Sequence, residues 1–148
     1  MTNLVNIPNA ELLRSDSNGI ATLTLNRGKN YNTLSTELMS AIQTQLDSLM
    51  KDQETRVVVI AGSGQAFCAG HDLSEMRANP EPEAIKALFT RCSKMMQALT
   101  QIPQPVIARV HGVATAAGCQ LVAQCDLAIC TENATFGTSG VKIGLFCS

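Results

Sequence analysis

The spacing of hydrophobic positions changes several times along the chain, and each change marks an element. Ala21, Leu23 and Leu25 alternate with Ile20, Thr22 and Thr24, the period of a half-buried strand with one apolar face. Leu12 to Arg14 precede it across Asp16-Ser-Asn-Gly19, a turn signal, so Glu11 to Asn26 predicts a β-hairpin. Asn26-Arg-Gly-Lys-Asn30 breaks the alternation. Beyond it the period lengthens: Leu38, Ile42, Leu46 and Leu49 share one face of a helix reaching about Lys51. Ser35 is placed to cap that helix, and Glu37 sits in its first turn, where a carboxylate suits the helix dipole. Arg56 opens a strand in which Val57-Val-Val-Ile60 is continuously apolar and β-branched, as in a parallel strand covered on both faces. That strand ends in Gly62-Ser-Gly64, at the carboxyl edge where open α/β sheets hold ligands.

Asn79-Pro-Glu-Pro82 marks a loop, followed by a second amphipathic helix carrying Ile85, Leu88, Phe89, Cys92, Met96 and Leu99 at helical spacing. Met95 and Met96 read as core. Pro103 and Pro105 end the helix and lead into an apolar strand, Pro105 to Val110. A turn of small residues, a short helix (Ala116 to Gln124) and a strand (Leu127 to Cys130) follow. The order ββ-α-β-α-β-α-β predicts an α/β fold with parallel pairing and right-handed crossovers. Thr131 to Ser148 carry no helix pattern. The apolar ending Gly144-Leu-Phe-Cys-Ser148 is unlike the usual polar terminus, so the expectation is one domain, 1–148, that begins a longer chain.

Composition changes this picture little. The 148 residues are 45% hydrophobic and 16% charged, with a net charge of −1, enough for one ordinary core. No basic patch points to nucleic acid, and no apolar run nears the ~20 residues of a membrane span. No targeting peptide is visible, so the cytoplasm is the expected compartment, with the mitochondrion left open. The six cysteines (68, 92, 119, 125, 130 and 147) include no C-x-x-C pair, so no metal site is expected. Most read as reduced, buried small hydrophobes.

Two stretches carry candidate chemistry. In Val110 to Cys130 a strand enters Ala114-Thr-Ala-Ala-Gly118 and then a helix; small side chains there let backbone N–H groups approach a ligand. That arrangement suits an anion or oxyanion site, and equally the close packing of helix on sheet. The other stretch is Gln65 to Met76.

Together these stretches resemble a known family. Ala66-Phe-Cys-Ala-Gly-His-Asp-Leu73 with Ser74-Glu-Met76 is similar to the fingerprint of the enoyl-CoA hydratase/isomerase (crotonase) family. So are Val110-His-Gly with Ala117-Gly-Cys-Gln-Leu-Val-Ala-Gln-Cys-Asp126, and Leu25-Asn-Arg with Asn32-Thr-Leu-Ser35. The resemblance implies a ββα spiral core, here without the family's C-terminal helical region, which forms trimers and hexamers. It implies an acyl-CoA thioester as partner, with coenzyme A entering as part of the substrate and no separate cofactor. The backbone N–H groups of His71 and Ala117 would bind the thioester oxygen. Such a donor typically contributes about 100–1,000-fold in rate. By the same resemblance CoA lies along Asn26 to Tyr31 and Ala69 to Ser74, bringing Tyr31, Ala69, His71, Asp72, Leu73, Ser74 and Ala117 to the substrate.

The chain also departs from the family. Hydratases there use two glutamates, and this chain has Gln120 and Gly140 at those positions. A Gln amide can orient a water but cannot take its proton near neutral pH. Nearby remain Glu75, His71, Ser139, Cys119 and Asp72. Ala69-Gly-His-Asp72 is similar to methylmalonyl-CoA decarboxylase of the family, so the His71 ring is either catalytic or structural. His111 matches a structural position, Asp72 is placed to cap the local turn, and Glu75 reads as a solvated helix residue. Three readings follow: an acyl-CoA enzyme with a compromised acid–base pair, a non-catalytic acyl-CoA-binding or regulatory protein, and a plain structural fragment.

Overall fold

The computed structural model describes residues 3–4 and 10–144. The chain winds as a coil in which a strand of a large sheet, a short strand of a small sheet and a helical segment succeed one another. The large sheet has the order β1-β2-β3-β4-β6-β8 and the small one β5-β7-β9. β1 (Asn3–Leu4), β2 (Leu12–Ser17) and β3 (Ile20–Leu25) are antiparallel neighbours. Asn18 and Gly19 turn the hairpin with positive φ, 53° and 78°, the twist two-residue hairpins prefer.

From β3 onward every pairing is parallel. β3 leads through a single bridge residue, Leu34, to α1 (Thr36–Leu49). β4 (Val57–Gly62) leads to β5 (Ala66–Cys68), α2 (Leu73–Ala78) and α3 (Pro82–Gln101). β6 (Val106–Val110) leads to β7 (Val113–Thr115) and α4 (Ala117–Ala123). β8 (Leu127–Cys130) leads to β9 (Thr135–Gly137) and a 3-10 turn, Ser139–Ile143.

Local chemistry explains the helix limits. Ser35 caps α1, its hydroxyl accepting from the Leu38 N–H at 3.0 Å. Pro82 occupies the first position of α3, and Ile102, before Pro103, is already extended. Leu38, Met39, Ile42, Leu46 and Leu49 of α1 are buried, as are Met95, Met96 and Leu99 of α3. With Leu23, Leu25, Ile60 and Val106 of the large sheet they form one core.

Several expectations need correction. The small sheet is not expected from the sequence, because strands this short show no period. Thr131 to Gly144 contains β9 and a 3-10 turn, while Leu145 to Ser148 lie outside the described residues. β8 is exposed along its length, with Leu127 at 62% and Ile129 at 64%. Of the five described cysteines, all free, only Cys68 and Cys92 are buried; Cys119 and Cys125 are half-buried and Cys130 is exposed. Burial pushes the Cys68 thiol up to about 12, so it stays protonated.

Asp52 ties β2 to the end of α1. It accepts from the Thr55 hydroxyl (2.8 Å), the N–H groups of Thr55 and Glu54, and Arg14 (3.2 Å). The Thr55 hydroxyl and these N–H groups hold its carboxyl down at about 2. A depressed carboxyl stabilises the fold above its ordinary value of 3.8, and that contribution disappears as pH falls towards 2. Asp52→Asn is therefore expected to flatten the loss of stability between these pH values, read as the urea midpoint against pH. An unchanged acid slope would place the sensitivity elsewhere.

Candidate active site

The chain crosses from β5 into α2, and from β7 into α4, through two turns that touch. At Gly70 (φ +91°) an added Cβ would lie 2.9 Å from the Ala116 Cβ and 3.2 Å from the Ala117 nitrogen. Only a residue without Cβ fits there. Ala116 is held at φ 51°, ψ −126°, a conformation that costs a residue with a Cβ about 1–3 kcal/mol. It turns the chain abruptly, and its carbonyl then accepts from the N–H groups of Cys119 (3.0 Å) and Gln120 (3.1 Å). α4 lies so close to β5 that a Cβ on Gly118 would stand 2.1 Å from the Cys68 carbonyl oxygen.

Each turn leaves one N–H unused. Leu34 pairs with His71 in a parallel bridge: the Leu34 N–H donates to the Gly70 carbonyl (2.7 Å), and the Asp72 N–H to the Leu34 carbonyl (3.3 Å). In that pattern the N–H of His71 itself points to the opposite side. Ala117 is the first residue of α4, where an N–H has no intrahelical acceptor. Neither N–H has an acceptor among the described residues.

Both turns line one cavity of about 1340 Å³. Of the residues singled out in the sequence, Ala69, His71, Asp72, Leu73, Ser74, Ala117, Cys119, Gln120, Ser139 and Gly140 border it. Tyr31 does not. It is 55% exposed beside the cavity residue Asn30, and its carbonyl accepts from the Ala69 N–H at 3.0 Å. Glu75 is also off the cavity and is not simply solvated: its carboxylate accepts from the N–H and hydroxyl of Thr36, both at 2.9 Å.

Electrostatically the cavity is quiet. Among the described residues no lysine or arginine lines it, and Asp72 is its one carboxyl. Burial pushes the Asp72 pKa up, but Arg27 and the N–H groups of Ser74 and Glu75 outweigh this and leave it below the ordinary range. Its Oδ1 caps α2 (3.0 Å from the Ser74 nitrogen) and its Oδ2 meets Arg27 at 2.9 Å. Burial pushes the His71 ring down, so it is neutral near pH 7. Its Nδ1 is buried without a partner among the described residues, and the ring meets Phe89 edge-on with centroids 5.0 Å apart. His111 Nε2 instead lies 2.8 Å from the Gly64 carbonyl, a contact that ties loops together. Thr115 and Ser139 share a hydroxyl contact of 2.7 Å.

The sequence reading missed the α3 wall, Phe89, Cys92 and Ser93, and it missed Gln124. Gln124 follows Gln120 by four residues, a spacing that shares a helix face. The α3 wall gave no signal, because its apolar residues were already accounted for as core.

This spiral of a mixed large sheet and a parallel small one, with paired turns over one cavity, defines a crotonase-type fold. A family model described as enoyl-CoA hydratase/isomerase matches residues 15–148, and the chain belongs to that family. Among curated relatives it is similar to the mitochondrial enoyl-CoA hydratase domain-containing protein 3. The Danio rerio protein is 40% identical over 136 residues, 92% of this chain and 47% of the relative. The Homo sapiens protein is 38% identical over 130 residues, 88% of this chain and 43% of the relative. A solved enoyl-CoA hydratase from Mycobacterium smegmatis superposes with a TM-score of 0.91 at 54% identity, covering 93% of this chain and 54% of that one. The human enoyl-CoA hydratase domain-containing protein 3 gives 0.89 at 38% identity, over 93% of this chain and 55% of that one. The chain thus spans about half the length of the relatives it matches.

Proposed function

We propose that the chain binds acyl-CoA thioesters, with the N–H groups of His71 and Ala117 donating to the thioester oxygen. The observation behind this is the pair of N–H groups without acceptors on touching turns above one cavity. Preorganised donors of this kind favour an oxygen that gains negative charge, as in an enolate. Coenzyme A would enter as part of the substrate along Asn26 to Tyr31 and Ala69 to Ser74, with no other cofactor. Calorimetry is expected to show tighter binding of a CoA ester than of its free fatty acid; equal affinities would sink the reading.

Ala117 provides a sharper test. Proline is tolerated at the first position of a helix and removes only the N–H. Ala117→Pro is expected to weaken thioester binding by about tenfold or more, while Ala117→Gly keeps it. The comparison applies to variants that still unfold cooperatively, since Ala116 is already constrained. A folded proline variant binding as tightly as the parent would overturn the assignment of Ala117.

Gln120 and Gly140 replace the family's glutamates on this cavity, and its remaining carboxyl, Asp72, is engaged by Arg27. The reading is therefore of an enoyl-CoA hydratase/isomerase-like protein in fatty acid metabolism with weak hydratase chemistry. The same observation favours a second reading, a non-catalytic acyl-CoA-binding or regulatory protein. The relatives' names place those proteins in mitochondria. The cytoplasm is the compartment proposed for this chain, and a mitochondrial import assay tests the alternative. Trimers or hexamers are proposed for a full-length chain that follows the family, with sedimentation as the test.

A further inference from the structure

We propose that Arg27 is a positioning residue: it clamps the turn that carries the His71 N–H and so sets how strongly the cavity grips a thioester carbonyl. This rests on the oxyanion reading above and goes beyond it, since Arg27 does not line the cavity.

The clamp is built from contacts on three sides of one guanidinium. Nε of Arg27 lies 2.7 Å from Glu11 Oε1, and Nη2 lies 2.9 Å from Asp72 Oδ2. Nη1 donates to the Thr33 carbonyl at 2.6 Å and to the Thr33 hydroxyl at 2.8 Å. The group is largely buried, with 14% of the side chain exposed, against 11% for Asp72. At such burial, charge-assisted contacts are strong and their loss is felt.

The contacts join the ends of two helices. Glu11 also accepts from the hydroxyl of Ser35, the cap of α1, and Asp72 caps α2. Glu75 of α2 returns to the first residue of α1 through Thr36. Asp72 directly follows His71, and its N–H is tied to Leu34. With its carboxylate held between Arg27 and α2, the peptide plane before Asp72 cannot rotate freely, and the direction of the neighbouring His71 N–H follows from that. Without Arg27, the carboxylates of Glu11 and Asp72 would lose their shared cation.

The test compares a saturated acyl-CoA with its thioether analogue, which keeps the CoA and the chain but lacks the carbonyl. Their affinity ratio isolates the grip on the oxygen. The parent protein is expected to prefer the thioester by about tenfold or more, from two N–H donors. Arg27→Lys keeps the charge, but a single ammonium cannot reach Glu11, Thr33 and Asp72 together. Asp72→Asn keeps a capping oxygen and loses the ion pair. In both variants the ratio of thioester to thioether affinity is expected to fall to about twofold or less. The infrared carbonyl band of the bound thioester is expected to move back towards its position in free solution.

An undiminished preference in Arg27→Lys and Asp72→Asn would overturn the clamp while leaving the oxyanion reading intact. Equal loss of thioester and thioether binding would also overturn it, because a merely structural role predicts that result. A parent protein with no preference for the thioester would overturn the oxyanion reading, and the clamp with it.

Discussion

Crotonyl-CoA is expected to be hydrated at least about 1,000-fold more slowly by this chain than by a relative carrying both glutamates, each such group contributing about 100–10,000-fold. Hydration needs one group to take a proton from water and one to deliver a proton to the α-carbon. Gln120 and Gly140 line the cavity where the resemblance puts those groups. An amide does not accept the proton near pH 7, and glycine has no side chain. Glu75 is occupied by Thr36, and Asp72 by Arg27 and the α2 cap. The neutral His71 ring remains. Loss of the enoyl thioester's ultraviolet band reads the rate directly. Turnover within about tenfold of an active hydratase would mean that another group has taken over, and His71→Gln would be the first variant to examine.

Gly118→Ala is expected to cost about 3 kcal/mol or more, at the upper end of overpacking, and to lower the urea midpoint accordingly. The added carbon would stand 2.1 Å from the Cys68 carbonyl oxygen and 2.6 Å from its carbon. Both are backbone atoms of a buried strand, so no flexible side chain can swing aside. Relief would require α4 to lift off β5, moving Ala117 and Gln120 with it. A variant as stable as the parent would show that this contact has slack, and the placement of α4 would need revision.

The sequence showed its long periodic segments well. Alternation in β3, helical spacing in α1 and α3, and the cap at Ser35 all correspond to observed elements. The small sheet was illegible for a physical reason: Ala66–Cys68, Val113–Thr115 and Thr135–Gly137 are three residues each, too short to show a period. They read as motif and turn instead. Arg27 entered the sequence reading only as part of stretches such as Leu25-Asn-Arg, because nothing local shows that Glu11 and Asp72 close around it. The α3 wall of the cavity was hidden for a different reason. One apolar helix can serve both core and cavity, and its spacing is the same for either.

The small sheet has a geometric consequence. β5 and β7 are adjacent parallel strands, His71 stands three residues beyond the end of one and Ala117 two beyond the other. Neighbouring strands run about 4.8 Å apart. N–H groups carried just beyond the ends of two such strands are brought side by side by that spacing. The pitch of the coil therefore sets the bite of the two N–H groups before any side chain is chosen. Side chains on the rim, such as Gln120, can then be exchanged while the backbone spacing stays the same.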